Sequence, residues 1–197
     1  KRKVKELAEA MEYEPNSYAV QLRTRQSNVL GLLVPSIDNF FYDSFIAAVE
    51  EEVKQSGYSL MILQSADNPE TEIENLKIYR QNRVSGVFVC LAKETSNLEA
   101  YHKVKDAGIP VVFFDKVPDD DTFNRVCLAD KEAAVMAAEA LLKKQKKNIL
   151  AIFGDTHMSI TKRRLQAFQE TLQPFKKIKL SVEHAGNMQA AEEITHR

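Results

Sequence analysis

The sequence predicts an α/β protein: parallel sheets covered on both faces by helices. Two observations carry this reading. Short continuous runs of Val, Ile, Leu and Phe recur along the 197 residues, as strands buried on both faces require. One helix-periodic stretch lies between most successive runs, the order of repeated strand-helix units.

Residues 1–11 have helical spacing, with Val4, Leu7, Ala8 and Met11 on one face and no N-cap before them. The run 29–34 is the first strand. A helix over 42–55 turns Phe45, Ile46, Val49 and Val53 inward, and Gly57 closes it in the left-handed conformation. Residues 58–63 form the second strand. Asn68-Pro69 opens the next helix, with Pro at its first position and Glu70 and Glu72 in its positive first turn. Strands at 84–89 and 109–114 flank a helix over 96–107 closed by Gly108, and 126–128 is a shorter strand. Asp130 caps a helix to residue 143 that turns Ala134, Ala138, Leu141 and Leu142 inward, and the lysines of 143–147 complement its dipole. A strand at 148–153, a helix over 161–172, a strand at 178–182 and a helix from 188 follow. Ligands in such sheets bind beyond the carboxyl ends of the strands. The loops of interest are therefore 35–41, 64–68, 90–95, 115–121 and 154–160.

Composition narrows the function by exclusion. Lys and Arg number 27 against 28 Asp and Glu, so bulk charge does not make the chain a nucleic-acid binder. The first 28 residues hold six Lys/Arg and four Asp/Glu, and the remainder is net −3, too small an asymmetry to argue from. Cys90 and Cys127 have no CxxC spacing and end apolar runs, so both are read as reduced, buried thiols of a cytoplasmic protein. No run is apolar enough to span a membrane and no signal peptide opens the chain. Phosphate loops, HExxH, a nucleophile elbow and Cys/His metal spacing are all lacking, and the four histidines are scattered. The chain is accordingly read as no enzyme, with no metal and no cofactor.

Glu14-Pro15-Asn16-Ser17-Tyr18-Ala19-Val20-Gln21-Leu22-Arg23-Thr24 leads into the first strand, Val29-Leu30-Gly31-Leu32-Leu33-Val34-Pro35. Ile37-Asp38-Asn39-Phe40-Phe41-Tyr42, Gly57-Tyr58-Ser59-Leu60 and Arg83-Val84-Ser85-Gly86-Val87 follow in order. Gly108-Ile109-Pro110-Val111-Val112-Phe113-Phe114-Asp115 and Arg164 within 162–168 complete the set. This ordered set resembles the lactose-repressor/purine-repressor (LacI) family of transcriptional regulators over essentially the whole chain. The resemblance implies a helix-turn-helix headpiece, a hinge helix and a two-subdomain sensor like periplasmic sugar-binding proteins. On that reading the chain is cut at both ends. Residues 1–28 are the end of the DNA-binding headpiece plus the hinge. Residues 29–129 are the proximal sensor subdomain without its return strand, and 130–197 are the first half of the distal one.

The resemblance also implies roles. Asn16, Ala19, Leu22 and Arg23 belong to the DNA-binding hinge. Leu22 is either a wedge that enters the minor groove and unstacks a base step or an ordinary apolar linker residue. Arg23 and Arg25 sit on phosphates or are solvated charge, and Tyr18 departs from the smaller residue common at its position. Nine residues are too few for an independent helix, so 16–24 is expected to be helical only when two copies meet on operator DNA. Phe41 and Tyr42 either face a ligand ring or pack the helix start. Ser36 either donates to a ligand or shapes its turn. Cys90 either lines the pocket or is structural. Asp115 ends a strand at the crevice and can accept from ligand hydroxyls. The guanidinium fork of Arg164 suits a diol or carboxylate, and the resemblance sets it opposite Asp115 on one ligand. The implied function is a ligand-responsive regulator, a homodimer on operator DNA, whose effector is a sugar or sugar derivative before a purine-like ligand. The alternative is a solute-binding protein of the same fold acting in sugar uptake or sensing, which would have an export signal and no hinge.

Overall fold

The computed structural model describes residues 2–13, 27–38 and 40–196, with the side chains of Val4 and Lys5 left aside. The hinge positions Asn16, Ala19, Leu22 and Arg23 lie outside the described residues.

Helix α1 (Arg2–Ala10) precedes a five-stranded sheet of β1 (Val29–Val34), β2 (Ser59–Gln64), β3 (Val87–Val89), β4 (Val111–Phe114) and β5 (Asn124–Val126). Every described pairing is parallel, in the order β2-β1-β3-β4-β5. Helices α2 (Phe40–Gln55), α3 (Pro69–Gln81) and α4 (Glu99–Asp106) cover it. Leu32 and Val34 pack with Tyr42 and Phe114 on one face, while Leu33, Val87, Val89 and Phe113 pack with Tyr79 and Tyr101 on the other. The continuous apolar runs are explained by this two-sided burial. Asn68 caps α3, its side chain accepting from Glu70 N at 2.7 Å and Thr71 N at 3.1 Å. Gly57 and Gly108 take φ of 79° and 80°, the left-handed geometry expected where helices end.

A second sheet pairs β6 (Asn148–Phe153) with β7 (Lys179–His184) in parallel. Helices α5 (Asp130–Lys143) and α6 (Ser159–Leu172) pack Ala134, Ala138, Phe168 and Leu172 against Ile149. Helix α7 (Met188–Thr195) follows.

Several boundaries differ from expectation. The third strand is Val87–Val89 rather than 84–89, although Ser85 N and Gly86 O already bond to Val29 O and Gly31 N of β1. The helix expected over 96–107 is confined to Glu99–Asp106. The strand expected at 126–128 is Asn124–Val126, exposed along its length at the sheet edge. Cys127, expected to be buried, is exposed for the same reason: it leaves an edge strand with no helix over it.

Candidate functional site

The strand order reverses between β1 and β3, and crevices for ligands form at such switch points, beyond the strand ends. Three side chains from distant parts of the sequence meet there. Tyr42, in the first turn of α2, is buried, and its hydroxyl donates to Asp115 Oδ2 at 3.1 Å and lies 3.3 Å from Cys90 Sγ. Cys90 follows β3 and is fully buried. Asp115 follows β4 in a left-handed conformation, φ 57°, with its N–H donating to Val126 O. Burial pushes the Cys90 thiol up to about 12. Burial first, and then the charges of Cys90 and Asp115, raise Tyr42 as well. Both groups are therefore neutral at physiological pH, so the cluster has a hydroxyl donor and a carboxylate acceptor but no thiolate nucleophile. Among the described residues, hydrogen bonds reach Asp115 at Oδ2 and not at Oδ1.

The other expected residues divide. Phe41 lies 6.2 Å from the ring of Phe45 and edge-on to Tyr42, and is 40% exposed. Phe45 in turn stacks on Phe114 at 4.2 Å, so this aromatic column runs from the core to the crevice mouth. Ser36 Oγ accepts from Asp38 N at 3.0 Å within its own turn. Arg164 Nε donates to Asp130 Oδ1 at 2.8 Å, and Arg163 reaches Asp130 Oδ2 at 3.3 Å. Asp130 does not cap its helix as the sequence predicts. It is instead the first residue of α5, makes no capping hydrogen bond, and holds two arginines from a buried position.

A narrower cleft of about 280 Å³ lies where the two sheets' units face each other, between Ala92, Thr95 and Ser96 on one side and His157, Met158 and Ser159 on the other. Ser159 Oγ donates to Val117 O at 3.2 Å, and Lys93 Nζ to Gly186 O at 3.4 Å, across this gap. Neither Asp115 nor Arg164 lines it.

Sequence reasoning missed the supports beneath this rim. Glu72, assigned to the helix dipole, is buried and accepts from Ala92 N and Thr95 Oγ1, pinning the loop after β3. Burial raises its pKa, opposed by those hydrogen bonds and by Lys116. Asp67 joins Lys116 at 2.8 Å and Lys93 at 3.6 Å. The signal for Glu72 was present, since it shares the inward face of α3 with Leu76 and Tyr79. No such signal existed for Asp67, Lys93 and Lys116, which lie on three separate loops.

The sequence profile of the family described as periplasmic binding proteins and sugar binding domain of LacI family matches residues 27–195. The HTH-type transcriptional regulator DegA of Bacillus subtilis (strain 168) is 24% identical over 174 residues, 88% of this chain and 52% of its own length. The catabolite repressor/activator of Escherichia coli (strain K12) is 28% identical over 157 residues, 80% and 47% respectively. This chain thus spans about half the length of the curated relatives it matches. Among solved structures, the Cra dual regulator of Pseudomonas putida, in complex with fructose 1-phosphate, superposes with a TM-score of 0.77 at 24% identity over 87% of this chain and 63% of its own. The Caulobacter myo-inositol binding protein, bound to myo-inositol, does so with a TM-score of 0.77 at 16% identity, over 87% and 60%. The same fold therefore serves regulators and solute-binding proteins.

Proposed function

The chain belongs to the family of periplasmic binding proteins and LacI-type sugar-binding domains, and from that premise we propose that it is the sensor portion of a ligand-responsive, DNA-binding transcriptional regulator. The observation that carries this choice over a solute-binding protein is what precedes β1. Helix α1 and the stretch Asn16-Ser17-Tyr18-Ala19-Val20-Gln21-Leu22-Arg23 come before the first strand, where an exported sugar binder has no need of either. Leu7 and Met11 of the α1 region are 62% and 69% exposed, an apolar stripe of the kind that packs on further helices. The curated relatives named above support the same choice.

In this reading residues 29–129 are the proximal subdomain and 130–197 part of the distal one. The effector is a sugar or sugar derivative in the crevice at the β1/β3 switch point. Asp115 accepts from its hydroxyls, the Tyr42 hydroxyl fixes that carboxylate, and Phe41 offers a ring face at the mouth. Arg164, steered by Asp130, closes from the distal side. No chemistry is needed, and the regulator is not an enzyme; differential affinity for the effector shifts the population of DNA-competent conformers. Such a regulator works in the cytoplasm. Among the described residues no helix is long and apolar enough to cross a membrane.

The test is operator selection with the full-length regulator, followed by binding of the selected duplex with and without candidate sugars at one fixed salt concentration. A two-fold-symmetric site should emerge, and Leu22→Ala should lose affinity for it far more than for a scrambled duplex, because non-specific binding rests on phosphates. Failure to enrich any sequence, or a Leu22→Ala protein that holds the operator as tightly as the parent, defeats the proposal.

A further inference from the structure

The amino-terminal end of the five-stranded sheet, opposite the crevice, carries an open basin of about 750 Å³ whose walls include Lys77, Arg80, Arg83, Ser85 and Ser27. The three cations come from the end of α3 and the residue just past its cap. All three are exposed. No described carboxylate lines the basin, and none of the three makes an ion pair among the described residues. The dipole of α3 supplies about half a negative charge at this end, far short of balancing them.

The backbone places Arg83 where a helix end usually carries glycine. Arg83 has a φ of 51°. The other two helices on this sheet end at Gly57 and Gly108, which adopt positive φ without a Cβ penalty. A residue with a side chain costs about 1–2 kcal/mol in that conformation. Gln145, just past the end of α5, takes the same conformation with a φ of 55°, so what sets Arg83 apart is that its side chain lines the basin.

Position then identifies the ligand. Ser85 Oγ donates to Ser27 O and Ser85 N to Val29 O at 2.7 Å, so the basin's rim is bonded to the segment by which the chain enters β1. Ser27 is five residues from Leu22, and five residues reach at most about 18 Å. DNA engaged by Leu22 is therefore within that distance of the rim, and guanidinium forks match phosphate oxygens in pairs. We infer that Lys77, Arg80 and Arg83 form a contact of the sensor domain itself with backbone phosphates of the operator duplex beside the hinge. The inference rests on the DNA-binding reading above. The contact carries no sequence information; it adds affinity and fixes the sensor over the duplex.

The experiment titrates the full-length regulator with operator and scrambled duplexes across a salt series. It compares the parent, Lys77→Ala/Arg80→Ala/Arg83→Ala, and the charge-keeping Arg80→Lys/Arg83→Lys. The alanine variant should bind both duplexes about 10- to 100-fold more weakly at 0.1 M salt, its log–log salt slope shallower by about 0.9 for each phosphate no longer neutralised. The lysine variant should keep most of the slope, and both should keep the parent's melting temperature and effector affinity. Unchanged DNA affinity and slope in the alanine variant overturn the inference while the regulator reading stands. A parent that binds no duplex overturns both. A lysine variant that falls as far as the alanine one removes charge as the cause and overturns it too. Loss of effector binding with DNA binding intact assigns the basin to an anionic small molecule and likewise overturns the phosphate contact.

Discussion

Three residues show how little a side chain's type says before its partners are known. Arg164 is an exposed-looking arginine in the run Lys162-Arg163-Arg164, yet its Nε is bonded to a carboxylate that is only 3% exposed. Removing one partner of such a pair leaves a buried charge less well satisfied. Because Arg164 itself is 40% exposed, solvent screens much of the pair's worth. Arg164→Ala is thus expected to cost about 1–2 kcal/mol of stability in urea titration. In the full-length regulator it should weaken effector binding by about 2 kcal/mol in calorimetry, the scale of a charge-assisted hydrogen bond left unmade. Effector affinity equal to the parent's removes Arg164 from the site. The cysteines make the contrasting pair: Cys90 is fully buried with its thiol held neutral up to about 12, whereas Cys127 is exposed. A thiol reagent at pH 8 should label one cysteine rapidly in the native protein and two in denaturant, with mass mapping placing the rapid label on Cys127. Equal rates at both positions would show that the Tyr42–Cys90–Asp115 cluster is open to solvent.

At the scale of elements, close approach decides what periodicity does not reveal. A Cβ at Gly31 would lie 2.8 Å from Cδ1 and Cε1 of Tyr79. The ring is in no position to swing away, because the Tyr79 hydroxyl donates to Leu32 O at 2.8 Å and lies 3.3 Å from Met61 O. Gly31→Ala must therefore separate α3 from β1, at an expected cost of about 1–3 kcal/mol. Gly57→Ala meets no atom within 4 Å and bears only its positive φ, at about 1 kcal/mol. Chemical denaturation of the two variants should rank them in that order; Gly57→Ala as the more damaging change would contradict this account of the β1–α3 packing. The same element logic explains β5, which ends a sheet, faces water along its length and so leaves Cys127 without the burial expected of it.

For the whole molecule, the five-stranded sheet supports different groups at the two ends of its strands. The carboxyl end gathers Tyr42, Cys90 and Asp115, with Glu72 beneath the loop after β3. The amino end receives the chain at Ser27 and presents the three cations. On the proposed function, a ligand at one end and DNA at the other would be joined by this single sheet. Two-fold operators call for two-fold proteins, and one hinge helix is too short to persist alone. The full-length regulator is accordingly expected to be a homodimer, with α2 at or near the contact. Light scattering at concentrations well above operator affinity checks this, and a monomer there would refute it.

The order of strands and helices, the parallel sheet, the capping at Asn68, Gly57 and Gly108 and the position of Asp115 at a strand end were all legible in the sequence. Each follows from local periodicity or from chemistry within a few residues. The ordered hinge-to-strand stretches also pointed to the family. What tertiary structure alone decided is pairing across distance: Tyr42 with Cys90 and Asp115, Arg164 with Asp130, Glu72 with Ala92 and Thr95, Gly31 against Tyr79. Those partners are separated by between 20 and 73 positions where hydrogen bonds join them. A helix or strand period extends over only a few residues, so which buried carboxylate meets which cation is set by the order in which strands enter the sheet.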